Sequence, residues 1–259
     1  ACILQNTDKR VVFVIPFEGK WSLIGTTDVP VATPEEAVDI TPAETRYLIE
    51  AVNRYLVKPI SEADVAWTFA GVRPLYDDGQ SDPSSITRDY VLELDNEAGK
   101  APVLSLFGGK ITTYRCLAET ALAKLAPFLP PMGAKWTKVA PLPGGGVPNY
   151  NAFCDEMFER YKGLPRDLLD GVVRRHGNRT AHVLGDATSL EELGVHFGAG
   201  LTAREVECLI AEEWAETAED ILYRRTKCGL HMDAAQRAAV DAYLRALPEA
   251  IVRLLAGPH

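Results

Sequence analysis

The spacing of hydrophobic positions changes near residue 142 of this chain. Before that point, short apolar runs bounded by glycine, proline or acidic residues predict strands. The first two runs flank Glu18-Gly19 and predict a hairpin. Alternation in the later runs is typical of an antiparallel sheet with one covered face. The predicted strands span residues 10–16, 21–26, 63–75, 90–95 and 102–107.

Two helices are predicted within this first part. Thr41-Pro-Ala-Glu44 has the form of a capping box with proline at the first helical position. The apolar positions after it recur at helical spacing and predict a face that packs on the sheet: Leu48, Val52, Tyr55 and Leu56. A second helix is predicted over residues 111–127.

After Gly146 the apolar positions recur mainly at helical spacing, which predicts five helices. The first contains Met157 and the second runs from Pro165 to Gly177, with His176 expected to be a helix-end residue rather than a catalyst. The third begins at Thr202, with Val206, Leu209, Ile210 and Trp214 facing inward. The fourth runs from Thr217 to Cys228-Gly229. The fifth is capped by Asp233.

These patterns predict an α+β fold in two domains. Residues 1–142 form a largely antiparallel sheet with packed helices, and residues 143–259 form an all-α domain. The stretch Leu142-Pro-Gly-Gly-Gly146 has the composition of a linker between them.

Composition narrows the chemistry. Hydrophobic residues make up 47% and charged residues 24% of 259 positions, as in ordinary folded proteins. The formal net charge of −9 argues against nucleic-acid binding. Five cysteines and five histidines are scattered without metal-ligand spacing, so no metal site is expected.

The segment Phe107–Arg115, FGGKITTYR, carries the clearest chemical signal. A β-run ends in Gly108 and Gly109, which allow a close backbone approach and a turn. Lys110 then adds a positive charge where a helix begins, and that end of a helix also attracts anions. An ordinary strand–turn–helix with a solvated lysine is the alternative.

Two arginines lie in similar settings upstream. Arg73 follows a predicted strand and precedes Pro74, and Arg88 precedes the strand that begins at Tyr90. Together with Lys110 they predict a pocket for a small anion, because guanidinium and ammonium groups match phosphate or carboxylate. Each arginine could instead form a surface ion pair, with Asp77 or Asp89 as partner.

Another candidate is the IGTTD sequence that ends at Asp28. Thr26, Thr27 and Asp28 could face a site at the end of the sheet. The favoured interpretation is a strand-end turn in which Asp28 bonds the local backbone.

Several motifs occur here in an order and spacing that resemble the FAD-dependent glycerol-3-phosphate dehydrogenase family. They are RVVFVIPFEGKWSLIGTTD, WTFAGVRPL, ITRDYVLEL and LFGGKITTYR, followed by WTKVAPLPGG and DILYRRTKCGL. The resemblance covers nearly the whole chain. It implies oxidation of sn-glycerol 3-phosphate to dihydroxyacetone phosphate, with FAD as hydride acceptor and a quinone as the next electron acceptor.

The resemblance also implies roles for single residues. Arg73, Arg88 and Lys110 would bind the substrate, and Lys110 and Arg73 are the catalytic candidates. Gly108, Gly109, Lys110 and Thr112 would meet the flavin. No general base is identified among the motifs.

The family begins with a Rossmann unit that carries G-x-G-x-x-G for FAD, and this motif does not occur here. The sequence is therefore expected to be a C-terminal fragment that binds no FAD by itself. The expected location is cytoplasmic, peripherally associated with the inner face of the cell membrane, and a homodimer is possible from the apolar last helix.

The sequence is also compatible with three other classes of function. An oxidase would pass electrons to dioxygen in place of quinone. A glycine-oxidase-like enzyme would need only one carboxylate-binding arginine, so the basic trio favours a phosphate. A non-catalytic interaction module is the third class.

Overall fold

A computed structural model describes residues 1–33, 35, 39–76 and 89–247 of the chain. It contains two compact units, Ala1–Val139 and Ala140–His259, which are described separately below. The first unit combines antiparallel strands with helices and the second is mainly helical, which confirms the predicted α+β class. The assignment of functional domains to residues 1–142 and 143–259 stays a prediction.

The first unit opens with a three-stranded antiparallel sheet packed on one helix. Its strands are β1 (Cys2–Gln5), β2 (Val11–Phe17) and β3 (Trp21–Gly25), in the order β1-β2-β3. Helix α1 (Pro42–Asn53) covers one face, and the core between them is formed by Val12, Leu48, Ala51 and Val52. The predicted hairpin and capping box are both confirmed.

Two details of α1 differ from the prediction. Tyr55 and Leu56 are exposed instead of buried against the sheet, although the Tyr55 hydroxyl donates to the carbonyl of Gln5 in β1 at 2.6 Å. The helix ends at Asn53, so these two side chains lie beyond it and no longer follow the helical spacing that would turn them inward.

A second hairpin is formed by β4 (Tyr90–Asp95) and β5 (Val103–Gly108), with Tyr90 opposite Gly108. The chain then passes through a 3₁₀ turn (Ile111–Thr113) into α2 (Tyr114–Leu125) and a second 3₁₀ turn (Ala126–Phe128). These elements lie where strands 90–95 and 102–107 and helix 111–127 were predicted.

The predicted strand over residues 63–75 is wrong. The structure has a 3₁₀ turn at Glu62–Asp64 and irregular backbone from there to residue 76. Apolar alternation indicates a strand only where a neighbouring strand pairs with it. Among the described residues, none of the sheets includes this segment.

The second unit contains five α-helices in its described part. They are α3 (Tyr150–Arg160), α4 (Arg166–His176), α5 (Thr180–Leu184), α6 (Ala203–Glu213) and α7 (Ala234–Ala246). Short 3₁₀ turns lie at Gly177–Arg179, Glu191–Leu193 and Cys228–His231, and a small hairpin pairs β6 (His196–Gly198) with β7 (Leu201–Thr202).

Two hydrophobic clusters form the core of the second unit. One lies among α3, α4 and α5 and includes Met157, Leu168, Leu169, Val172 and Val183. The other lies among α6, α7 and the small hairpin and includes Leu201, Val206, Leu209, Ile221 and Val240. Of the apolar face predicted for the third helix, Val206, Leu209 and Ile210 are buried as expected.

Two predictions for this unit are wrong. Trp214 is 74% exposed because α6 ends there in a left-handed conformation with φ of 51°. The predicted helix from Thr217 to Cys228 is instead a π-helical segment, Asp220–Arg225. The N–H and the hydroxyl of Thr226 both donate to the carbonyl of Ile221, five residues earlier, which favours the wider turn.

Candidate functional site

The turn after β5 requires glycine at both predicted positions. Gly108 has φ of +70° and Gly109 has φ of +96°, in a region that disfavours side chains. A Cβ on Gly108 would lie 3.2 Å from the Tyr76 nitrogen and 3.3 Å from the Asp89 carbonyl oxygen. The close approach predicted for these glycines is therefore an approach of the chain to itself.

This packing brings the Arg73 segment to the end of β5. Besides Tyr76, the carbonyl oxygen of Pro74 lies 3.6 Å from the position of a Gly108 Cβ. The rings of Tyr76 and Phe107 also meet edge to face, with centroids 5.9 Å apart. Residues 74–76 thus lie against Phe107–Gly108, directly before Lys110.

Arg73 forms a half-exposed ion pair, as the alternative interpretation expected, but its partner is a different residue. Its Nη1 lies 3.3 Å from Oδ2 of Asp28, and about half of each side chain is exposed. The partners expected for a surface pair were Asp77 or Asp89, and Asp77 lies outside the described residues. The favoured interpretation of Asp28, a turn residue that bonds only the local backbone, does not account for this pair with Arg73.

The residue before Asp28 ties the same loop to α1. The Thr27 hydroxyl donates to Oε1 of Glu44 at 2.7 Å. Oε2 of Glu44 accepts the backbone N–H of Thr41 at 2.9 Å and its hydroxyl at 2.8 Å. The Thr27 hydroxyl and these two donors hold the pKa of Glu44 below its usual value.

Lys110 lies at the start of the helical segment with its side chain exposed. The backbone N–H and hydroxyl of Thr113 both donate to the Lys110 carbonyl, at 3.0 Å and 2.9 Å. Thr112, in the same turn, is exposed as well. Within the described ranges no carboxylate pairs with the Lys110 ammonium, so its charge faces solvent.

Arg88 lies outside the described residues, so its predicted place beside the other two cations stays a prediction. The structure resumes at Asp89, whose carbonyl oxygen packs near Gly108. The site that the structure describes therefore brings together three sequence segments: the Asp28 loop, the Arg73 segment and Gly108–Lys110.

This arrangement suits binding of a small anion. The closest contact of Asp28 is with Nη1 of the Arg73 guanidinium, which has five N–H donors in all. Guanidinium and ammonium groups are both suited to phosphate, and the start of a helix adds favourable dipole potential. The sequence singled out Arg73 and Lys110 but assigned Asp28, Thr27 and Glu44 to local turns and caps.

Another charged cluster lies in the second unit. Arg175 binds the fully buried Glu205 through Nε and Nη2, each at 2.7 Å, and Nε2 of His176 lies 2.7 Å from Oε1 of the same carboxylate. These contacts join α4 to α6. His176 is thus a buried partner of Glu205 at the end of α4.

The described residues show neither a candidate metal site nor a membrane-spanning helix. They include no group of three or more His, Cys, Asp or Glu side chains suited to hold a metal ion. None of their helices combines the length and hydrophobicity needed to cross a membrane.

Two family models match the chain. The model described as FAD dependent oxidoreductase matches residues 2–115. The model described as the C-terminal domain of alpha-glycerophosphate oxidase matches residues 135–250.

Curated relatives are similar over almost all of the chain. D-erythritol 1-phosphate dehydrogenase of Brucella abortus is 50% identical over 241 residues, covering 92% of this chain and 48% of that protein. Glycerol-3-phosphate dehydrogenase of Pseudomonas aeruginosa is 45% identical, covering 95% and 48%. Aerobic glycerol-3-phosphate dehydrogenase of Escherichia coli is 43% identical, covering 94% and 49%. The chain spans about half the length of the curated relatives it matches.

Proposed function

Because the chain belongs to the FAD-dependent glycerol-3-phosphate dehydrogenase family, we propose that it supplies the substrate-binding part of an enzyme that oxidises sn-glycerol 3-phosphate to dihydroxyacetone phosphate. The observation that supports this most directly is the packing of the Arg73 segment against Phe107–Gly108, next to Lys110. That packing places Arg73 and Lys110, which has no carboxylate partner among the described residues, in one region of the first unit. Their charges match a phosphate monoester.

The proposed division of roles follows from the positions of these side chains. Arg73 and Arg88 hold the phosphate, so that the substrate presents one carbon to the cofactor. Lys110 lies at the start of the helical segment and stabilises negative charge that develops nearby during the reaction. Lys110 and Arg73 are therefore the proposed catalytic residues, and Arg73, Arg88 and Lys110 the proposed substrate-binding residues.

The residues present also fit a flavin. Lys110, Ile111 and Thr112 are exposed at the beginning of a helical segment, where an electron-rich ring edge can reach the backbone N–H groups and the ammonium. Gly108 and Gly109 give the turn that presents them. When bound, FAD accepts the hydride that leaves the substrate carbon. The chain contains no G-x-G-x-x-G, so in this proposal the FAD pyrophosphate is bound by residues outside these 259.

D-erythritol 1-phosphate is a second candidate substrate. The relative of that name is 50% identical to the chain, and the two glycerol-3-phosphate dehydrogenases above are 45% and 43% identical. Both compounds are polyol phosphates, and an anion site built from arginine and lysine serves either. The two candidates differ only in the length of the polyol.

We further propose a quinone as electron acceptor and a peripheral location on the cytoplasmic face of the membrane. Dioxygen is the alternative acceptor, because the second family model is described as part of an oxidase. The Escherichia coli relative is named an aerobic dehydrogenase. The acceptor therefore has to be tested directly. Hydrogen peroxide formation in place of quinone reduction would assign the oxidase chemistry.

A dye-reduction assay with an FAD-loaded protein that contains these 259 residues together with the FAD-binding part tests the proposed function. Glycerol 3-phosphate, D-erythritol 1-phosphate and unphosphorylated glycerol are compared at equal concentrations. Turnover of a phosphate ester but not of glycerol supports the proposal, and the ratio of kcat/KM between the two esters chooses the substrate. Failure of both esters to react would contradict it.

A further inference from the structure

Arg73 lies in irregular backbone, where nothing in the secondary structure fixes its side chain. An arginine side chain has about 2 kcal/mol of rotamer entropy to lose when it is held in one place. A substrate-binding arginine that must hold a phosphate in one orientation therefore requires a partner that fixes the guanidinium beforehand.

Asp28 is that partner in the structure. Its Oδ2 lies 3.3 Å from Nη1 of Arg73, although the two residues are far apart in sequence. The closest contact is between Nη1 and Oδ2, and a guanidinium has five N–H donors in all. The pair is also half exposed, so the arginine is accessible to a small anion.

The loop that carries Asp28 is itself anchored to a regular element. Thr27 donates to Glu44, and Glu44 accepts from Thr41 in the capping box that begins α1. Helix α1 packs on the sheet through Leu48, Ala51 and Val52. A continuous series of contacts thus runs from the core of the first unit through Glu44, Thr27 and Asp28 to Arg73.

We propose that Asp28 is a positioning residue that orients Arg73 for the phosphate of the substrate, and that Thr27 and Glu44 hold Asp28 in place. This inference rests on the proposed function for its purpose. The contact between Asp28 and Arg73 is independent of that function and can be tested without it.

Replacing Asp28 distinguishes a positioning role from simple charge repulsion, because the two predict opposite changes in KM. Asp28→Asn removes a negative charge from the site, so attraction of an anion alone would lower KM. A positioning role predicts the opposite, because the freed guanidinium no longer meets the phosphate in one geometry. We expect kcat/KM for the phosphate ester to fall about 10-fold, mainly through a higher KM.

Three further variants sharpen the kinetic test. Thr27→Val retains the shape of the side chain but breaks the bond to Glu44, so a smaller fall in the same direction is expected. Asp28→Glu retains the charge, and partial recovery relative to Asp28→Asn is expected. Glu97→Gln breaks an exposed pair with Lys100 in the turn between β4 and β5 and should leave kcat/KM unchanged.

NMR of the arginine side chains supplies a measurement independent of turnover. The Nε–H resonance of Arg73 is assigned in the whole chain by its loss in Arg73→Lys. Its order parameter should decrease in Asp28→Asn and in Thr27→Val and remain unchanged in Glu97→Gln. An order parameter unaffected by Asp28→Asn would overturn the positioning role, whatever the kinetics.

The two tests separate the inference from the proposed function. If no polyol phosphate reacts with the wild-type protein but the Arg73 resonance still loses order in Asp28→Asn, the proposed function fails and the positioning contact stands. If the phosphate ester reacts and Asp28→Asn binds it as well as or better than the wild type, the inference fails and the proposed function stands.

Discussion

At the scale of single residues, Gly108 determines how the segments of the candidate site pack together. Its positive φ turns the chain at the end of β5, and its lack of a side chain lets residues 74–76 pack closely. The turn could be predicted from the sequence because two consecutive glycines permit it. Its packing partner, more than thirty residues upstream, could not be, because spacing along a chain does not reveal distant contacts.

Gly108→Ala separates these two requirements. We expect it to lower the free energy of unfolding by about 2–3 kcal/mol, from an unfavourable φ and a crowded Cβ together. Gly99→Ala is the matched control, since Gly99 has φ of +84° and nothing within 4 Å of the added Cβ. It should cost only about 1 kcal/mol. Equal losses in urea unfolding would show that the close packing at Gly108 contributes nothing.

In the second unit, the single residue with the largest expected effect on stability is Glu205. Burial opposes its ionisation, but Arg175 and His176 outweigh burial and lower its pKa. The carboxylate therefore stabilises the fold at neutral pH, and this contribution is lost as the pH falls below the usual glutamate range near 4.5 and through the lowered folded value.

Glu205→Gln should leave Arg175 without its buried counter-ion and destabilise the protein by about 3–5 kcal/mol at pH 7. Glu212→Gln is the comparison. Glu212 pairs with Arg179 and His182, but it is about one third exposed, so a loss of at most about 1 kcal/mol is expected. The measurement is chemical denaturation at pH 7, and a similar loss for both variants would refute the distinction.

At the scale of elements, sequence signals predicted the helix boundaries that are determined by residues within the same turn. The capping boxes at Thr41 and Asp233 and the stop at Gly177 lie within one turn of the helices they delimit. The strand predicted at 63–75 failed because strand formation depends on a pairing partner. The π-helical segment was missed since its cause, the bond of Thr226 to Ile221, produces no periodicity in the sequence.

Asp220 begins that π-helical segment and gives it a measurable pH dependence. Burial opposes its ionisation, but bonds from the hydroxyl and N–H of Thr217, from the N–H of Glu216 and from Arg224 lower its pKa from 3.8 to about 2. Because the folded value is the lower one, the stabilisation is complete above about pH 5 and decreases as the pH falls toward 2.

Asp220→Asn removes this titration. At pH 7 we expect the variant to be less stable than the wild type by about 1–2 kcal/mol. The difference should shrink to about half by pH 3, as protonation of the unfolded wild type removes its advantage. Denaturation curves at pH 7, 5 and 3 measure it, and a difference that stays constant with pH would contradict the assigned role.

At the scale of the whole molecule, the charge distribution bears on the proposed anion site. The chain has a formal net charge of −9, yet the described site combines Arg73 with a lysine that has no carboxylate partner among the described residues. A strongly acidic protein attracts anions only where basic groups are fixed locally. The fold class could be predicted from the sequence, whereas the pairing of Asp28 with Arg73 could not, because the two residues lie in different segments. The binding roles of Arg73, Arg88 and Lys110 stay a prediction.

In the proposed function, recognition of the substrate's phosphate depends on Arg73. Its most direct test is kcat/KM of the FAD-loaded protein for glycerol 3-phosphate in Arg73→Ala, with Arg46→Ala as control because Arg46 forms an exposed pair with Glu62 in the same unit. We predict a fall of about 30- to 150-fold for Arg73→Ala, the loss of one charged phosphate contact of about 2–3 kcal/mol, and no change for Arg46→Ala. An unchanged kcat/KM in Arg73→Ala would contradict the account.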